Sequence, residues 1–227
     1  MLPRTLLIGC GEQQVKRIKE ACTVIDISED YLARSKMLKP DNAYFNASAE
    51  DMPFEDNYFS KVICTEVLEH VDNYELALKE ISRVIKEGGA LRLSVPIGSN
   101  EDYVANKVEI VKRDVAKGFH KQNFTDGILL NKLIELGFKD VRIKEKDLAN
   151  TFYWLILGKS LSLFKMNDKV VVRDSGRVEL KSGESAIFKN FLRCVSLVSY
   201  VIGGALFVVP KFFKRKYYST YEVYARK

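Results

Sequence analysis

The chain has 227 residues, of which 47% are hydrophobic and 29% are charged, with 36 basic against 30 acidic side chains. This composition excludes a disordered chain, which has too few apolar residues to form a core, and a polytopic membrane protein, which has far fewer charges. The length is enough for one large domain or two small ones.

The first residues predict a strand, a glycine turn, a helix and a second strand. An apolar run over residues 5–10 predicts a buried strand, and Gly9 and Gly11 predict the tight turn that closes it. Apolar side chains at helical spacing predict a surface helix that reaches Cys22, and residues 24–27 predict the next strand. Such βαβ units build parallel sheets that bind ligands at the carboxyl ends of their strands.

The same alternation of strands and helices continues along the chain. Ser28 is placed to cap a helix that begins at Glu29, and Gly137 is placed to end a later helix. Further strands are predicted over 61–64, 91–95 and 141–143, further helices over 74–86, 102–117 and 126–136, a hairpin over 170–180, and an edge strand over 221–225.

Residues suited to binding a nucleoside follow the first two strands. Gly9 and Gly11 allow a ligand to approach the backbone closely, and Asp26 can accept hydrogen bonds from two ribose hydroxyls. A strand that ends in GxG is common, so this pattern alone does not decide for a nucleoside ligand. Three further segments occur in order, with the sequences AEDMPF at 49–54, TEVLEHV at 65–71 and ISRVIKEGG at 81–89.

This series of motifs resembles the class I S-adenosylmethionine-dependent methyltransferases, in particular those that act on small molecules, quinones or sugars. The resemblance covers residues 5–144 and returns at 220–227. It implies an α/β fold with a Rossmann-like, doubly wound sheet of seven strands, parallel except for an antiparallel last strand, and an insertion before that strand. It also implies S-adenosyl-L-methionine as the cofactor.

The resemblance assigns the cofactor contacts to two turns near the start of the chain. It implies that Gly9, Cys10 and Gly11 lie beneath the methionine part of the cofactor. It also implies that Asp26 binds the ribose and that Ile27 lies beside the adenine.

Two later loops complete the site that the resemblance implies. Ala49 and Glu50 fall on the loop that reads the adenine edge, and Thr65 and Glu66 fall near the sulfonium. Glu66 and Glu69 have no third ligand at a suitable spacing, so no metal site is predicted.

The two histidines are the candidate catalytic bases. A hydroxyl acceptor must lose its proton during methyl transfer, and an imidazole has a pKa suited to removing it. The resemblance implies that His70 faces the reaction centre or the substrate, and it places His120 in a segment ahead of the penultimate helix. Both positions border the cleft, and either histidine could instead make only a structural hydrogen bond.

The predicted function is S-adenosylmethionine-dependent methylation, with oxygen of a small-molecule, glycan or lipid-linked acceptor as the target and nitrogen or carbon as the alternative. Leu7, Gln13 and Ser48 stand where the family has an acid, a third glycine and another acid, while Glu12 could supply a substitute carboxylate. These departures motivate an alternative from a different class, a non-catalytic partner subunit.

Charge is distributed unevenly between the predicted domains. Residues 1–150, the predicted cofactor-binding core, hold 22 basic and 25 acidic side chains, whereas residues 151–227 hold 14 and 5. We assign residues 151–217 to an insertion and residues 218–227 to the last strand of the core.

Within the insertion, residues 190–216 join an apolar run to a basic segment. One interpretation is a lid over the acceptor, and the other is contact with an anionic membrane surface. The chain is accordingly predicted to be cytoplasmic, and peripheral to the inner face of the membrane in the second case. Nucleic acid is disfavoured as a partner because the basic residues are interleaved with apolar ones. The sequence leaves the oligomeric state open.

Overall fold

The computed structural model describes residues 2–97, 121–122, 124, 127–146, 170–172, 178–180 and 220–227. The chain divides into two compact units, one made of Met1–Val95, Lys121–Lys144 and Tyr221–Lys227, the other of Pro96–His120 and Glu145–Thr220. The described strands are β1 (Thr5–Ile8), β2 (Thr23–Asp26), β3 (Ala43–Asn46), β4 (Phe59–Thr65), β5 (Ile85–Pro96), β6 (Lys139–Lys146), β7 (Val170–Val172), β8 (Val178–Leu180) and β9 (Thr220–Arg226). The described helices are α1 (Glu12–Arg17), α2 (Glu29–Leu38), α3 (Tyr74–Val84) and α4 (Ile128–Glu135).

Seven of the strands form one sheet in the order β3-β2-β1-β4-β5-β9-β6. The pairs β1 with β2, β1 with β4, β2 with β3, and β4 with β5 are all parallel. The chain starts in the middle of the sheet, moves outward to β3, and then crosses back to β4. This doubly wound order places a topological switch point between β1 and β4, where ligands bind in open α/β sheets.

Strand β9 runs antiparallel to β5. The backbone N–H of Gly88 donates to the carbonyl of Lys227 at 3.0 Å, while Arg92, four residues further along β5, pairs with Glu222, five residues earlier in β9. These contacts confirm the predicted seven-stranded sheet with an antiparallel last strand.

The prediction that residues 221–225 form an edge strand is wrong, because β9 lies between β5 and β6. Glu222 is buried, and its carboxylate lies 2.8 Å from the Arg92 guanidinium. Tyr221 and Val223 are buried as well. The ion pair is what allows a charged residue to lie in the interior of the sheet.

Two predicted helices end earlier in the structure than in the sequence interpretation. Helix α1 stops at Arg17, because Ile18 is extended and the backbone N–H of Cys22 already donates to Asn42 Oδ1 at 3.0 Å in the turn before β2. Helix α3 stops at Val84, because Ile85 pairs with Phe59 and starts β5. Strand β3 was not predicted, since its half-buried AYFN sequence has neither clear alternation nor an apolar run.

Several local predictions are confirmed. The Ser28 hydroxyl accepts a hydrogen bond from the backbone N–H of Tyr31 and caps α2. Gly137 has a φ of +84° after α4, and its N–H donates to the carbonyl of Ile134. The predicted hairpin forms from β7 and β8, which pair antiparallel.

Some predictions fall outside the described residues and stay predictions. They are the helix over 102–117, the domain boundaries at 150 and 217, and the segment 190–216 with its two interpretations. Among the described residues, no helix has both the length and the apolar character needed to cross a membrane.

The core of the first unit is built on β1. Leu6, Leu7 and Ile8 are all buried, as expected for a central parallel strand that is covered on both faces. Leu7 packs in a cluster that also contains Val15 of α1 and Leu32 of α2. The packing around β1 fixes where its carboxyl end, and hence the glycine turn, is placed.

Arg83 of α3 holds the loop over residues 52–56. Its guanidinium donates to the carbonyls of Met52 at 3.0 Å and Phe54 at 2.7 Å, and pairs with Asp56 at 2.8 Å and with Glu80 at 2.7 Å. The hydrogen bond from Arg83 holds the pKa of the Glu80 carboxyl below its usual range. The AEDMPF and ISRVIKEGG segments are therefore two halves of one hydrogen-bonded network.

Replacing Arg83 by Ala is expected to lower the free energy of unfolding at pH 7 by about 2 kcal/mol, because two loop carbonyls and Glu80 lose their partner. Glu80 has a lowered pKa in the folded state, so its stabilising contribution is present above the ordinary carboxyl pKa and is lost as the pH falls through the folded pKa. The difference between wild type and Arg83→Ala should therefore shrink between pH 7 and pH 3 in urea unfolding. The matched control is Arg17→Ala at an exposed position of α1, and an equal loss for both variants would contradict the network.

Candidate functional site

The turns after β1, β2 and β4 lie at one edge of the sheet. These three strands are adjacent and parallel, so their carboxyl ends point the same way. The site residues that were predicted from the sequence and that lie at the ends of these strands or in the turns after them are Gly9, Cys10, Gly11, Asp26, Ile27, Thr65, Glu66 and His70. The topology brings them to a common edge, although they are separated in sequence.

Asp26 joins the first two of these turns. One carboxylate oxygen accepts the backbone N–H of Cys10 at 2.8 Å, and the other accepts the N–H of Ser28 at 2.9 Å. A carboxylate oxygen can accept more than one hydrogen bond, so both oxygens keep capacity for hydroxyl donors. Asp26 thus fixes the backbone of both turns and still presents a charged acceptor at the edge of the sheet.

Cys10 contributes its backbone to this arrangement and keeps its thiol in the core. The side chain is buried, and burial together with the nearby Asp26 carboxylate raises the pKa of the thiol to about 12. The Ser35 hydroxyl donates to the Cys10 carbonyl at 2.7 Å. The thiol therefore stays protonated near neutral pH and is unsuited to act as a nucleophile.

The two glycines of the turn differ in what they require. Gly9 has a φ of +81°, and a Cβ there would lie 2.6 Å from Val67 Cγ2. Gly11 has a φ of −49°, and a Cβ there would meet nothing closer than 3.9 Å, in the side chain of Gln14. Gly9 is therefore needed by the fold itself, whereas a Cβ at position 11 would make only ordinary van der Waals contact with Gln14.

Ile27 is an exposed apolar residue in the turn after β2. Its side chain is 76% exposed, and its backbone carbonyl accepts a hydrogen bond from Asn46 Nδ2 at 3.0 Å. An isolated exposed Ile is ordinary on a surface, but this one follows Asp26 directly at the ligand-binding edge. It offers an apolar surface on which a planar ring can pack.

The turn that carries Ala49 and Glu50 is fixed from both sides. Ser48 Oγ accepts the N–H of Glu50 at 3.1 Å, and one Glu50 carboxylate oxygen accepts the N–H of Asn73 at 2.7 Å. Ala49 is buried. Glu50 therefore connects this turn to the start of α3, a contact that the sequence did not predict.

Thr65 ends β4, and Glu66, which follows it, has an unusual backbone conformation. Glu66 has a φ of +55°, which costs a residue other than glycine about 1 kcal/mol. Two contacts with β5 hold it there, since its N–H donates to the Ser94 carbonyl at 3.0 Å and its carboxylate accepts the Ser94 hydroxyl at 2.6 Å. Glu66 is exposed, so the strained backbone presents its carboxylate at the edge of the sheet. Strain of this kind is concentrated at functional sites.

His70 lies next to a buried carboxylate. Its Nε2 is 3.9 Å from Glu69 Oε1, and its side chain is 38% exposed whereas that of Glu69 is 1% exposed. The Glu69 carbonyl accepts the backbone N–H groups of Lys121 and Gln122 at 2.7 and 3.2 Å. His120, the other candidate base, lies outside the described residues.

Residues 6–93 match a family described as a methyltransferase domain. The matched residues include the glycine turn, Asp26 and the three motif segments on which the resemblance to the class I S-adenosylmethionine-dependent methyltransferases is based. The sheet order, the glycine turn and the acid at the end of β2 agree with this match, and the resemblance stated from the sequence is confirmed.

Two relatives and one solved structure illustrate how far the similarity extends. An uncharacterized protein of Methanocaldococcus jannaschii is 32% identical over 170 residues, which are 72% of this chain and 62% of the relative. A ubiquinone/menaquinone biosynthesis C-methyltransferase of Rhizobium meliloti is 37% identical over 79 residues, which are 32% of this chain and 31% of the relative. The chain therefore spans less than two thirds of the length of either relative.

The solved structure is that of a putative sarcosine dimethylglycine methyltransferase from Galdieria sulphuraria, with a TM-score of 0.59 and 14% identity. The match covers 98% of this chain and 77% of that chain. At this identity the likeness supports the fold alone.

Two of the departures from the family pattern have a structural account. Leu7 packs in the core cluster, so this chain has an apolar contact where the family that it resembles has an acid. Ser48 caps the turn that carries Ala49 and Glu50. Sequence reasoning missed Gln14 and Ser94, which contact Thr65 and Glu66, because neither belongs to a motif.

Replacing Gly9 by Ala is expected to destabilise the protein by about 2 kcal/mol, because the Cβ would clash with Val67 and the φ of +81° disfavours any L side chain. Gly11→Ala is the matched control, with an expected change below about 0.5 kcal/mol. Thermal unfolding of both variants checks the difference. Equal shifts in Tm would contradict the distinct requirements of the two glycines.

Proposed function

We propose that this protein is a methyltransferase that binds S-adenosyl-L-methionine along the carboxyl ends of β1, β2 and β4 and methylates oxygen of a small-molecule, glycan or lipid-linked acceptor. The observation that carries the proposal is Asp26, a charged acceptor that is hydrogen-bonded to both turns that would enclose the cofactor. The described residues supply a suitable group for each part of that cofactor.

The adenosine part fits the turn after β2. Asp26 would accept hydrogen bonds from the two ribose hydroxyls. Ile27 would pack on the adenine ring because its side chain is exposed and apolar. Ala49 and Glu50, on the fixed turn that follows β3, would border the edge of the ring.

The methionine part fits the turn after β1 and the end of β4. Gly9, Cys10 and Gly11 would lie beneath it, since glycines in the turn let a ligand approach the backbone closely. Thr65 and Glu66 would lie beside the sulfonium, where the Glu66 carboxylate provides favourable electrostatics for a positive charge.

When bound, S-adenosylmethionine supplies a methyl group that is already activated by the positive charge on its sulfur. The protein then has to hold the acceptor in line, exclude water and remove the hydroxyl proton. We assign the last task to His70, since its imidazole is partly exposed and lies 3.9 Å from the buried carboxylate of Glu69. Once His70 has taken the proton from the acceptor hydroxyl, its positive charge would be stabilised by the Glu69 carboxylate. His120 is the alternative base.

A second candidate is methylation of carbon on a quinone-type acceptor. It is supported by the similarity to the Rhizobium meliloti C-methyltransferase, which is 37% identical over 79 residues. Aromatic carbon of a phenol also reacts better after deprotonation, so His70 would keep its role as base. Nitrogen methylation needs no such base, and a non-catalytic partner subunit needs no cofactor affinity.

Asp26→Asn is expected to weaken binding of S-adenosylhomocysteine by at least about tenfold, because two hydrogen bonds to a charged acceptor are weakened. Isothermal titration calorimetry measures the dissociation constant. Asp30→Asn, at an exposed position of α2, is the matched control. An unchanged constant for Asp26→Asn would remove Asp26 from the site, and no binding by the wild type would favour the non-catalytic partner subunit.

His70→Gln is expected to lower the methylation rate by about 10²- to 10⁴-fold without changing the affinity for S-adenosylhomocysteine, because only proton removal is lost. Release of S-adenosylhomocysteine is followed with phenols, reduced quinones, sugars and amines as acceptors. Mass spectrometry and NMR of the products distinguish O- from C- and N-methylation. A His70→Gln variant of undiminished rate would exclude His70 as the base.

A further inference from the structure

The side chain of Gln14 in α1 occupies the gap between the glycine turn and the end of β4. Its Nε2 donates to the carbonyl of Thr65 at 2.7 Å. Its Oε1 is buried and has no hydrogen-bond partner among the residues that the structure describes. The orientation of the amide follows from the Thr65 contact, because the flipped amide would oppose two oxygens.

The oxygen of this amide lies against the turn. Gln14 Oε1 is 3.9 Å from the point where a Cβ of Gly9 would stand, and Gln14 Cδ is 3.9 Å from the corresponding point of Gly11. An amide oxygen only accepts hydrogen bonds, so a ligand group that satisfies it must be a donor. Leaving such an oxygen buried without a donor is costly.

We propose that Gln14 accepts a hydrogen bond from the ammonium group at the methionine end of the cofactor. This inference rests on the proposed binding of S-adenosylmethionine at the same edge of the sheet. In the proposed binding mode Asp26, which is hydrogen-bonded to the glycine turn, would anchor the ribose, and Gln14 contacts Thr65 at the end of β4. The ammonium is the cationic donor of that ligand, and it would find two acceptors here, Gln14 Oε1 and the Thr65 carbonyl.

This assignment also accounts for the absence of an acid at position 7. Leu7 is buried in the core cluster, so it offers no polar contact to an ammonium. Glu12, the substitute considered from the sequence, is exposed and lies 3.7 Å from Lys16. Gln14 instead places its acceptor inside the turn.

The experiment compares two ligands that differ at this end. S-adenosylhomocysteine carries the ammonium, whereas 5′-methylthioadenosine keeps the adenine, ribose and sulfur but has no amino acid portion. Gln14→Met removes both the donor and the acceptor, and Gln14→Glu removes the donor to Thr65 but keeps an acceptor. Titration calorimetry gives the dissociation constants. Glu12→Gln is the matched control. Circular dichroism and thermal unfolding check that each variant is folded.

We expect Gln14→Met to weaken the binding of S-adenosylhomocysteine by about tenfold or more, while the dissociation constant of methylthioadenosine changes by less than about twofold. Gln14→Glu should restore most of the affinity for S-adenosylhomocysteine. If Gln14 is only a strut between the turn and β4, both variants will weaken both ligands to the same extent, and that result overturns the inference while leaving the proposed function intact. If Gln14→Met does not fold, Gln14→Ala takes its place. Failure of the wild type to bind either ligand overturns the proposed function and this inference with it.

Discussion

The candidate site depends on one interaction, the double hydrogen bond of the Asp26 carboxylate to the backbone N–H groups of Cys10 and Ser28. Without it, the turns after β1 and β2 would be joined chiefly through the strands that precede them. With it, the backbone of the glycine turn is held at the end of β2, and Ser28 is held where it caps α2. One side chain therefore fixes two turns and one helix start.

The hydrogen bond between Asp26 and Cys10 depends on the backbone conformation of the neighbouring residues. The Cys10 N–H can point at the carboxylate only if the chain makes a sharp turn at Gly9, whose φ is +81°. The Cys10 carbonyl is held in turn by the Ser35 hydroxyl of α2, so the same residue is fixed through both of its backbone groups. The geometry of the turn is set before any ligand arrives, which lowers the entropic cost of binding.

The sequence was sufficient for those parts of the fold that are specified locally. The strand before Gly9, the cap at Ser28 and the helix end at Gly137 follow from the residues at those positions and were predicted correctly. Strand β3 was missed because its pairing with β2 comes from the sheet and its own pattern is weak. The interior position of β9 depends on the pairing of Glu222 with Arg92, 130 residues earlier, which no local pattern reveals. For the site, the motifs indicated Asp26 and Glu66, but the contacts of Gln14 and Ser94 arise only when β1, β4 and β5 are brought side by side.

The place of β9 in the sheet has a consequence for how the protein is made. During synthesis on the ribosome, β5 and β6 are complete well before β9, yet they are not neighbours in the finished sheet. Until residues 220–226 emerge from the ribosome, one edge of β5 has backbone N–H and C=O groups that are not paired with β9. An edge of this kind is prone to pairing with other chains. Nascent chains stalled before residue 220 should therefore need chaperone protection, because β5 and β6 are joined in the sheet only through β9.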